Sequence, residues 1–319
     1  MTWKFRQIKP QKARGKFLHS MWTDSAWIAE TKYDGDRRIA QFCSDRVRFT
    51  GTRESVDGTG YVEKSANLPH LMACTIPQLS LEGTVLDGEI VHPNPGKGGG
   101  SKFVTAIMGS SPAEAIRKQK ESGWLEYRVF DCLWFKGHDV RSLPLYTRRS
   151  YVDQALKTWG NKYASMVEYS AARRSFYEEI VKAGGEGVVL KHIAHSYGNE
   201  KLWVKVKHEA TADVVVLGFK PGKNKNAGMV GSIEFGQHRA MSLAPGATNY
   251  VGPAPMGYAR GFSNAVMREL TKHPRYYVGT VFRIKHNGRE PTGAFRHPRF
   301  DCWRPDKSAK DCVYDPQET

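Results

Sequence analysis

Apolar and polar positions alternate along much of this chain in short runs that stop at glycine, proline or Asp-Gly pairs. That rhythm predicts strands joined by tight turns. Residues 27–42, WIAETKYDGDRRIAQF, read as strand, Asp-Gly turn, strand, and VRFTGTRE (47–54) and TVLDGEIV (84–91) repeat the pattern. EYRVFDCLWF (126–135), GVVLKH (187–192) and LWVKVK (202–207) are further strands. Two segments have helical signals instead. Ser111-Pro112 supplies an N-cap and a first-turn proline for a short helix ending before Gly123. SAARRSFYEEIVKAGGEG places Phe176, Ile180 and Val181 on one face ahead of a glycine stop. Residues 93–112, rich in Pro, Gly and Ser around Gly98-Gly99-Gly100, predict a flexible surface loop.

After Lys207 the character changes. TADVVVLGF opens a glycine-rich tail of short strands, interrupted by one helix, SNAVMRELTKH, capped by Ser263 and stopped before Pro274. Regular spacing of such strands predicts a small β-barrel, so residues 1–209 and 210–319 are expected to form separate domains.

Composition narrows the picture. A chain of 319 residues with 40% hydrophobic positions can fill one large or two modest cores. Its formal net charge of +16 favours a polyanionic partner over solubility alone, because each Lys or Arg at a phosphate releases a condensed counterion. Lys4, Arg6, Lys9, Lys12, Arg14 and Lys16 open the chain with no acid among them, either as a DNA-contacting arm or as a solvated tail. The five cysteines (Cys43, Cys74, Cys132, Cys302, Cys312) are odd in number and form no Cys-x-x-Cys pair, which argues against a disulfide framework or zinc site and fits a reducing compartment. No apolar run approaches the roughly 20 residues a membrane helix needs, and the N-terminus lacks a signal peptide's apolar core. A soluble, cytoplasmic protein without a membrane partner is expected.

Candidate chemistry begins at Lys32-Tyr33-Asp34-Gly35. A lysine amine is a nucleophile only when neutral, so it needs burial or cationic neighbours, and Arg37 and Arg38 follow it. Alone the string is weak, since Lys-x-Asp-Gly arises by chance in roughly one chain in fifteen of this length, and a surface hairpin would explain it. Downstream, in order, stand Arg53, Asp87-Gly88-Glu89-Ile90, Phe130-Asp131, Glu186-Gly187-Val188-Val189-Leu190-Lys191 and Trp203-Val204-Lys205-Val206-Lys207. Singly each has an ordinary structural explanation. Together they supply a nucleophile, carboxylates for a metal and cations for phosphate oxygens, the parts of a phosphoryl transfer. Alternation puts Lys205 and Lys207 on one face of their strand. The glycine run before Lys102 does not fit G-x-x-x-x-G-K-[ST], so a Walker-type phosphate loop is not expected there. Lys97 and Lys102 in that run, and the segment FKPGKNKNAG (219–228), are candidate DNA contacts or plain solvated loops.

This ordered set resembles the covalent nucleotidyltransferase superfamily of ATP- and NAD-dependent DNA ligases, RNA ligases and mRNA capping enzymes. FRHPRFDCWRPDK (295–307) resembles the superfamily's C-terminal motif on an OB-fold domain, with matches at Arg296, Pro298, Phe300, Arg304, Asp306 and Lys307. The resemblance covers about residues 30–307 and is strongest to small, bacteriophage-like ATP-dependent DNA ligases.

It implies an α+β fold: a nucleotidyltransferase (adenylation) domain of antiparallel sheets with flanking helices, followed by an OB-fold β-barrel. It further implies that Lys32 accepts AMP from ATP, that Glu30 reads the adenine amino group, and that Arg37 and Arg53 lie near the AMP phosphate, ribose and nick phosphate. Glu89 and Glu186 would attend Mg²⁺ or Mn²⁺, with Glu89 also near the ribose. Phe130 would lie against the adenine, with Tyr127 a rival in the same strand, and Lys205 and Lys207 would reach the α-phosphate. Arg304 and Lys307 would orient the pyrophosphate. The partner implied is nicked duplex DNA, served by a monomer in a prokaryotic or phage-infected cell. The alternatives are a capping guanylyltransferase, an RNA ligase and a non-catalytic single-strand binder of OB type. An NAD-dependent ligase is disfavoured, because nothing before Lys32 resembles a nicotinamide-binding module.

Overall fold

The apolar alternation seen in sequence becomes buried faces of antiparallel sheets in the computed structural model, which describes residues 3–56, 58, 60–72, 80–94, 100–244, 247–289 and 292–314. The Gly98-Gly99 part of the glycine-rich loop, Lys97 and Cys74 lie outside the described residues, and Ser101–Met108, within the segment expected to be loop, form a helix instead. The chain divides into two compact units, Met1–Lys207 and His208–Thr319.

The strands of the first unit are, in chain order, β1 (Trp27–Thr31), β2 (Asp36–Phe42), β3 (Val47–Glu54), β4 (Tyr61–Glu63), β5 (Val85–Val91), β6 (Glu126–Phe135), β7 (His138–Asp139), β8 (Ala164–Met166), β9 (Tyr169–Ser170), β10 (Gly187–His192) and β11 (Trp203–Lys207). They form two sheets. A seven-stranded sheet runs β4-β3-β2-β5-β6-β7 with β8 parallel to β6, and a four-stranded sheet runs β11-β10-β1-β9.

The expected strand–turn–strand at residues 27–42 is present, but it is not a hairpin. β1 belongs to the four-stranded sheet and β2 to the seven-stranded one, so Lys32-Tyr33-Asp34-Gly35 is the crossing between sheets. Likewise Asp87-Gly88 makes no turn and lies within β5, paired on both sides by β2 and β6.

One face of the large sheet carries Phe42, Phe49, Leu86 and Tyr127, packed against Val104 and Ile107 of the helix Ser101–Met108, Ala115 of the helix Pro112–Ser122, and Val152 and Trp159 of the helix Leu145–Trp159. Burying each such side chain stabilises by roughly 1.5–3 kcal/mol. Ser111 caps the second of these helices, accepting the Glu114 N–H. The opposite face presents Ile39, Val85 and Leu133, which Ile8 and Trp3 of the N-terminal segment cover. The small sheet packs Trp27, Ala29, Val188, Leu190 and Val204 against Phe176, Tyr177 and Ile180 of the helix Arg173–Lys182.

The second unit is a five-stranded antiparallel sheet of β12 (Ala210–Pro221), β13 (Val230–Ala244), β14 (Ala247–Ala259), β15 (Val281–His286) and β16 (Arg299–Trp303), ordered β14-β13-β12-β15-β16. β13 and β14, 15 and 13 residues long, exceed the short strands expected. Its two edges meet. Arg260 forms a parallel bridge with Arg299, and the Phe300 N–H donates to the Arg260 carbonyl at 2.8 Å. Phe235, Phe282 and Ile284 fill the interior, beneath Leu270 of the helix Asn264–Lys272. That helix is capped by Ser263 as expected, and Pro274 opens a further short helix, Pro274–Tyr277. Residues 219–228 comprise the end of β12 and most of the β12–β13 connection, which is closed by the Gly222 N–H on the Met229 carbonyl at 2.7 Å.

Candidate active site

Sheet register dictates which side chains converge. Glu30 pairs with Val189, which pairs with Lys205; Ile28 pairs with Lys191, which pairs with Trp203; Gly187 pairs with Lys207. Paired residues share a face, so these residues point to the side away from the helix Arg173–Lys182. Lys32 prolongs the same face, its N–H donating to the Gly187 carbonyl at 3.0 Å. Gly35 permits the crossing that follows: a Cβ there would stand 2.1 Å from the Ile90 carbonyl oxygen. Gly187 holds φ at +125°, a left-handed backbone that disfavours any side chain.

Between this face and β2, β5 and β6 lies a cavity of 780 Å³, within the usual range for ligand pockets. Glu30, Lys32, Arg37, Arg53, Glu89, Phe130 and Lys205 all line it, together with Val189, Lys191 and Trp203. Lys207 and Glu186 join through charge: Glu186 accepts from Lys32 on one oxygen and from Lys207, at 2.8 Å, on the other. Tyr127, by contrast, is fully buried in the core beside Phe49, with its hydroxyl donating towards the Arg38 and Leu86 carbonyls. Three residues along a strand point to opposite faces, so Phe130 looks into the cavity and Tyr127 away from it. Arg304 and Lys307 belong to the second unit. There Arg304 is held by Asp213 at 2.8 Å and Asp306 at 2.6 Å.

One end of the cavity is closed by charge. Glu30, 2% exposed, receives Arg149 on one oxygen and Lys191, at 2.6 Å, on the other. The Lys191 ammonium stands 3.9 Å from the Trp203 ring centroid and 4.6 Å from that of Phe130. Burial lowers the Lys191 pKa against the opposing pull of Glu30. Trp203 in turn donates its indole N–H to His195 Nε2 at 2.8 Å. Burial pushes His195 down to about 4, which keeps its ring a neutral acceptor.

Beside the same two rings, 5.2 Å from that of Phe130 and 5.6 Å from that of Trp203, Arg37 forks onto the fully buried Asp87 (2.9 and 2.5 Å) and donates to the Gln11 carbonyl at 2.6 Å. Burial disfavours the Arg37 charge, yet Asp87 outweighs it and the net shift is upward. Glu89 is pushed up to about 8 by burial, against Arg37 and Lys32. Lys205 is shifted down by desolvation and then by Lys32, Lys207 and Arg37.

The opening segment, read as an arm or a solvated tail, is a docked strap. Gln11 donates its N–H to the Tyr197 hydroxyl at 3.0 Å, Tyr197 donates to Asp87 at 2.7 Å, and Gly15 donates to the Trp203 carbonyl at 3.0 Å. Lys9, Pro10, Lys12, Ala13 and Arg14 thereby form part of the cavity wall. Sequence reasoning also missed Arg149 and gave Lys191 no role. Among the described residues no cluster of three or more His, Cys, Asp or Glu side chains is placed to hold a metal ion. Among the described residues four cysteines are free: Cys43, Cys132 and Cys312 buried, Cys302 exposed.

A family model described as the ATP dependent DNA ligase domain matches residues 11–207, more than half of the chain. The chain belongs to this ligase family. A DNA ligase of Methanoculleus marisnigri is 27% identical over 321 residues, covering 96% of this chain and 57% of that protein. The chain spans little more than half the length of the first curated relatives it matches. Among solved structures, one from a structure–function study of Lig E DNA ligases, on DNA binding with a minimal scaffold, is 18% identical with a TM-score of 0.60, covering 93% of this chain and all (100%) of that one. Mycobacterial DNA ligase D complexed with ATP and MES is 21% identical with a TM-score of 0.52, covering 98% and 100%. These two share the mixed fold of antiparallel sheets. No helix among the described residues is long and apolar enough to cross a membrane.

Proposed function

We propose that the chain is an ATP-dependent DNA ligase that seals nicks in duplex DNA through a lysyl-AMP on Lys32. The observation that carries this reading is the Lys32 amine at a ligand-sized cavity, with Phe130, Arg37 and Lys205 around it and Glu186 on its ammonium, in a chain of the ligase family. Glu30 would accept from the adenine amino group while Arg149 and Lys191 hold its carboxylate in place; a carboxylate has roughly four lone-pair sites, enough for all three donors. Phe130 would flank the base. Arg37 and Arg53 would serve the ribose and the AMP and nick phosphates.

In the first step the neutral Lys32 nitrogen attacks the α-phosphorus, the bond to the β-phosphate oxygen breaks, and pyrophosphate leaves. The lysine proton must depart first, and Glu186, already on the ammonium, would take it. A 5′-phosphate oxygen then displaces Lys32 from AMP, and a 3′-hydroxyl displaces AMP to form the phosphodiester. Lys205 and Lys207 would balance charge on the α-phosphate, where fixed cations contribute most. The hard oxygen donors Glu89 and Glu186 suit Mg²⁺ or Mn²⁺, which take one or two carboxylates plus substrate phosphates. Such an ion would withdraw charge from the phosphate oxygens.

The second unit fits an OB-type barrel, supported by the Arg260–Arg299 bridge between its edge strands, with Arg304 and Lys307 serving pyrophosphate. Arg304 would then have to exchange Asp213 and Asp306 for phosphate. The enzyme would act as a monomer in the cytoplasm of a prokaryotic or phage-infected cell.

Incubation with α-labelled ATP and Mg²⁺, followed by a denaturing gel, tests the reading. Acid-labile label should stay on the protein and vanish in Lys32→Ala. Label persisting in that variant, or transferred from GTP in preference to ATP, sinks it.

A further inference from the structure

The N-terminal strap alternates in a way its contacts explain. Ile8, Pro10 and Gln11 are buried against the first unit, whereas Lys4, Arg6, Lys9, Lys12, Arg14 and Lys16 are all exposed. Backbone anchors recur along its length: Trp3 on Glu82 (2.6 Å), Arg6 on Gln41 (3.0 Å), Gln11 on Tyr197 (3.0 Å), Arg14 on the Glu200 carbonyl (2.9 Å). The strap is therefore fixed before any partner arrives, with its cations exposed along its length. Of the six, only Arg14 has an acidic partner among the described residues, Glu200 at 2.8 Å, and Arg6 lies over the Trp3 and Trp134 rings. Lys4, Lys9, Lys12 and Lys16 face solvent with no ion pair among those residues.

We propose that this strap is a rail for the sugar–phosphate backbone of one DNA strand, leading that strand to the Lys32 cavity. The proposal rests on the nick-sealing reading for its choice of polyanion. Two observations carry it. Lys4, Lys9, Lys12 and Lys16 are exposed and have no ion pair among the described residues, as counterion release requires. The strap also runs past the chemistry, since Lys9, Lys12 and Arg14 belong to the wall of the same cavity as Lys32 and Arg53. Because the strap is already ordered, binding loses little conformational entropy. Contacts of this kind hold backbone and carry no base preference.

The test is equilibrium binding of a fluorescein-labelled nicked duplex to the full chain, without ATP and with EDTA, across a salt series. In K4Q/K9Q/K12Q/K16Q the slope of log K against log salt should fall by about 3–4, at about 0.9 per lost phosphate contact. A control losing the same charge elsewhere on the unit, K120Q/K136Q/K162Q/K182Q, should keep a slope near wild type. In the wild type the same nicked duplex should protect Lys4, Lys9, Lys12 and Lys16 from acetylation read by mass spectrometry. Equal slopes in the two quadruple variants, or no protection of the strap lysines, overturn the rail. Neither measurement involves lysyl-AMP, so a protein that binds along the strap yet takes no label from ATP would refute the ligase reading and leave the rail standing.

Discussion

The two ends of the cavity use the same residue types in opposite ways. At the closed end Glu30, Arg149 and Lys191 are buried and hold one another, and the Lys191 ammonium is further occupied by the Phe130 and Trp203 rings. At the open end Lys205 is exposed and has no carboxylate partner among the described residues, while Lys32 and Lys207 share the single carboxylate of Glu186. A buried cation without its acid is costly, so the closed end is a structural commitment that a ligand inherits. Exposed cations in excess cost little until an anion arrives. Stability should therefore concentrate at one end and catalytic effect at the other.

The largest break in that contrast is Glu30→Gln. It leaves Arg149 and Lys191 buried without their carboxylate and should lower unfolding free energy by about 3–5 kcal/mol. A drop in melting temperature of roughly 10 °C follows from that value for a unit of this size; a melt within a degree of wild type would mean that the closed end is not held by charge. Next comes Lys205→Gln, expected to leave the melt almost unchanged while slowing lysyl-AMP formation about a hundred-fold, the usual loss for one donor aimed at developing charge. A parallel fall in stability would erase the distinction between the ends.

Smallest is a pH effect beneath the closed end. The folded-state pKa of His195, about 4, is depressed below the ordinary 6.5. In the window between them the unfolded chain binds more protons than the folded one, so stability is full above pH 6.5 and is lost as pH falls towards 4, by at most about 1.4 kcal/mol per pH unit. Thermal melts of His195→Gln should be flatter across that window than those of wild type.

Much of the open end was legible because its residues sit in strands whose alternation and turn signals are plain. Alternation placed Lys205 and Lys207 on one face, the ordered motifs and their family resemblance singled out Lys32 and Glu89, and register then set β1, β10 and β11 side by side. The closed end was not legible, and the reason is specific. The helix Leu145–Trp159 buries Leu145, Arg148, Arg149, Val152, Ala155 and Trp159, a regular helical spacing in which two of the inward positions are arginines. Hydrophobic patterning scores those two as surface. Arg148 is in fact fully buried, forked onto Asp131 at 2.7 and 3.0 Å, and Arg149 reaches Glu30, 119 residues earlier in the chain. Nor does spacing reveal that strands on either side of an Asp-Gly turn enter different sheets; that depends on pairing partners more than a hundred residues downstream, such as Val189 for Glu30.

The strap's anchors bear on how the unit comes to be folded. Gln11 is held by Tyr197 and Lys12 by Glu200, at sequence separations of 186 and 188. Contacts this distant in sequence form late and slow the search for the native state. A nascent chain must hold its basic leading segment unsatisfied until almost the whole unit has been synthesised. Only then can the cavity acquire its last wall, so assembly of the nucleotide site and completion of the unit are one kinetic event.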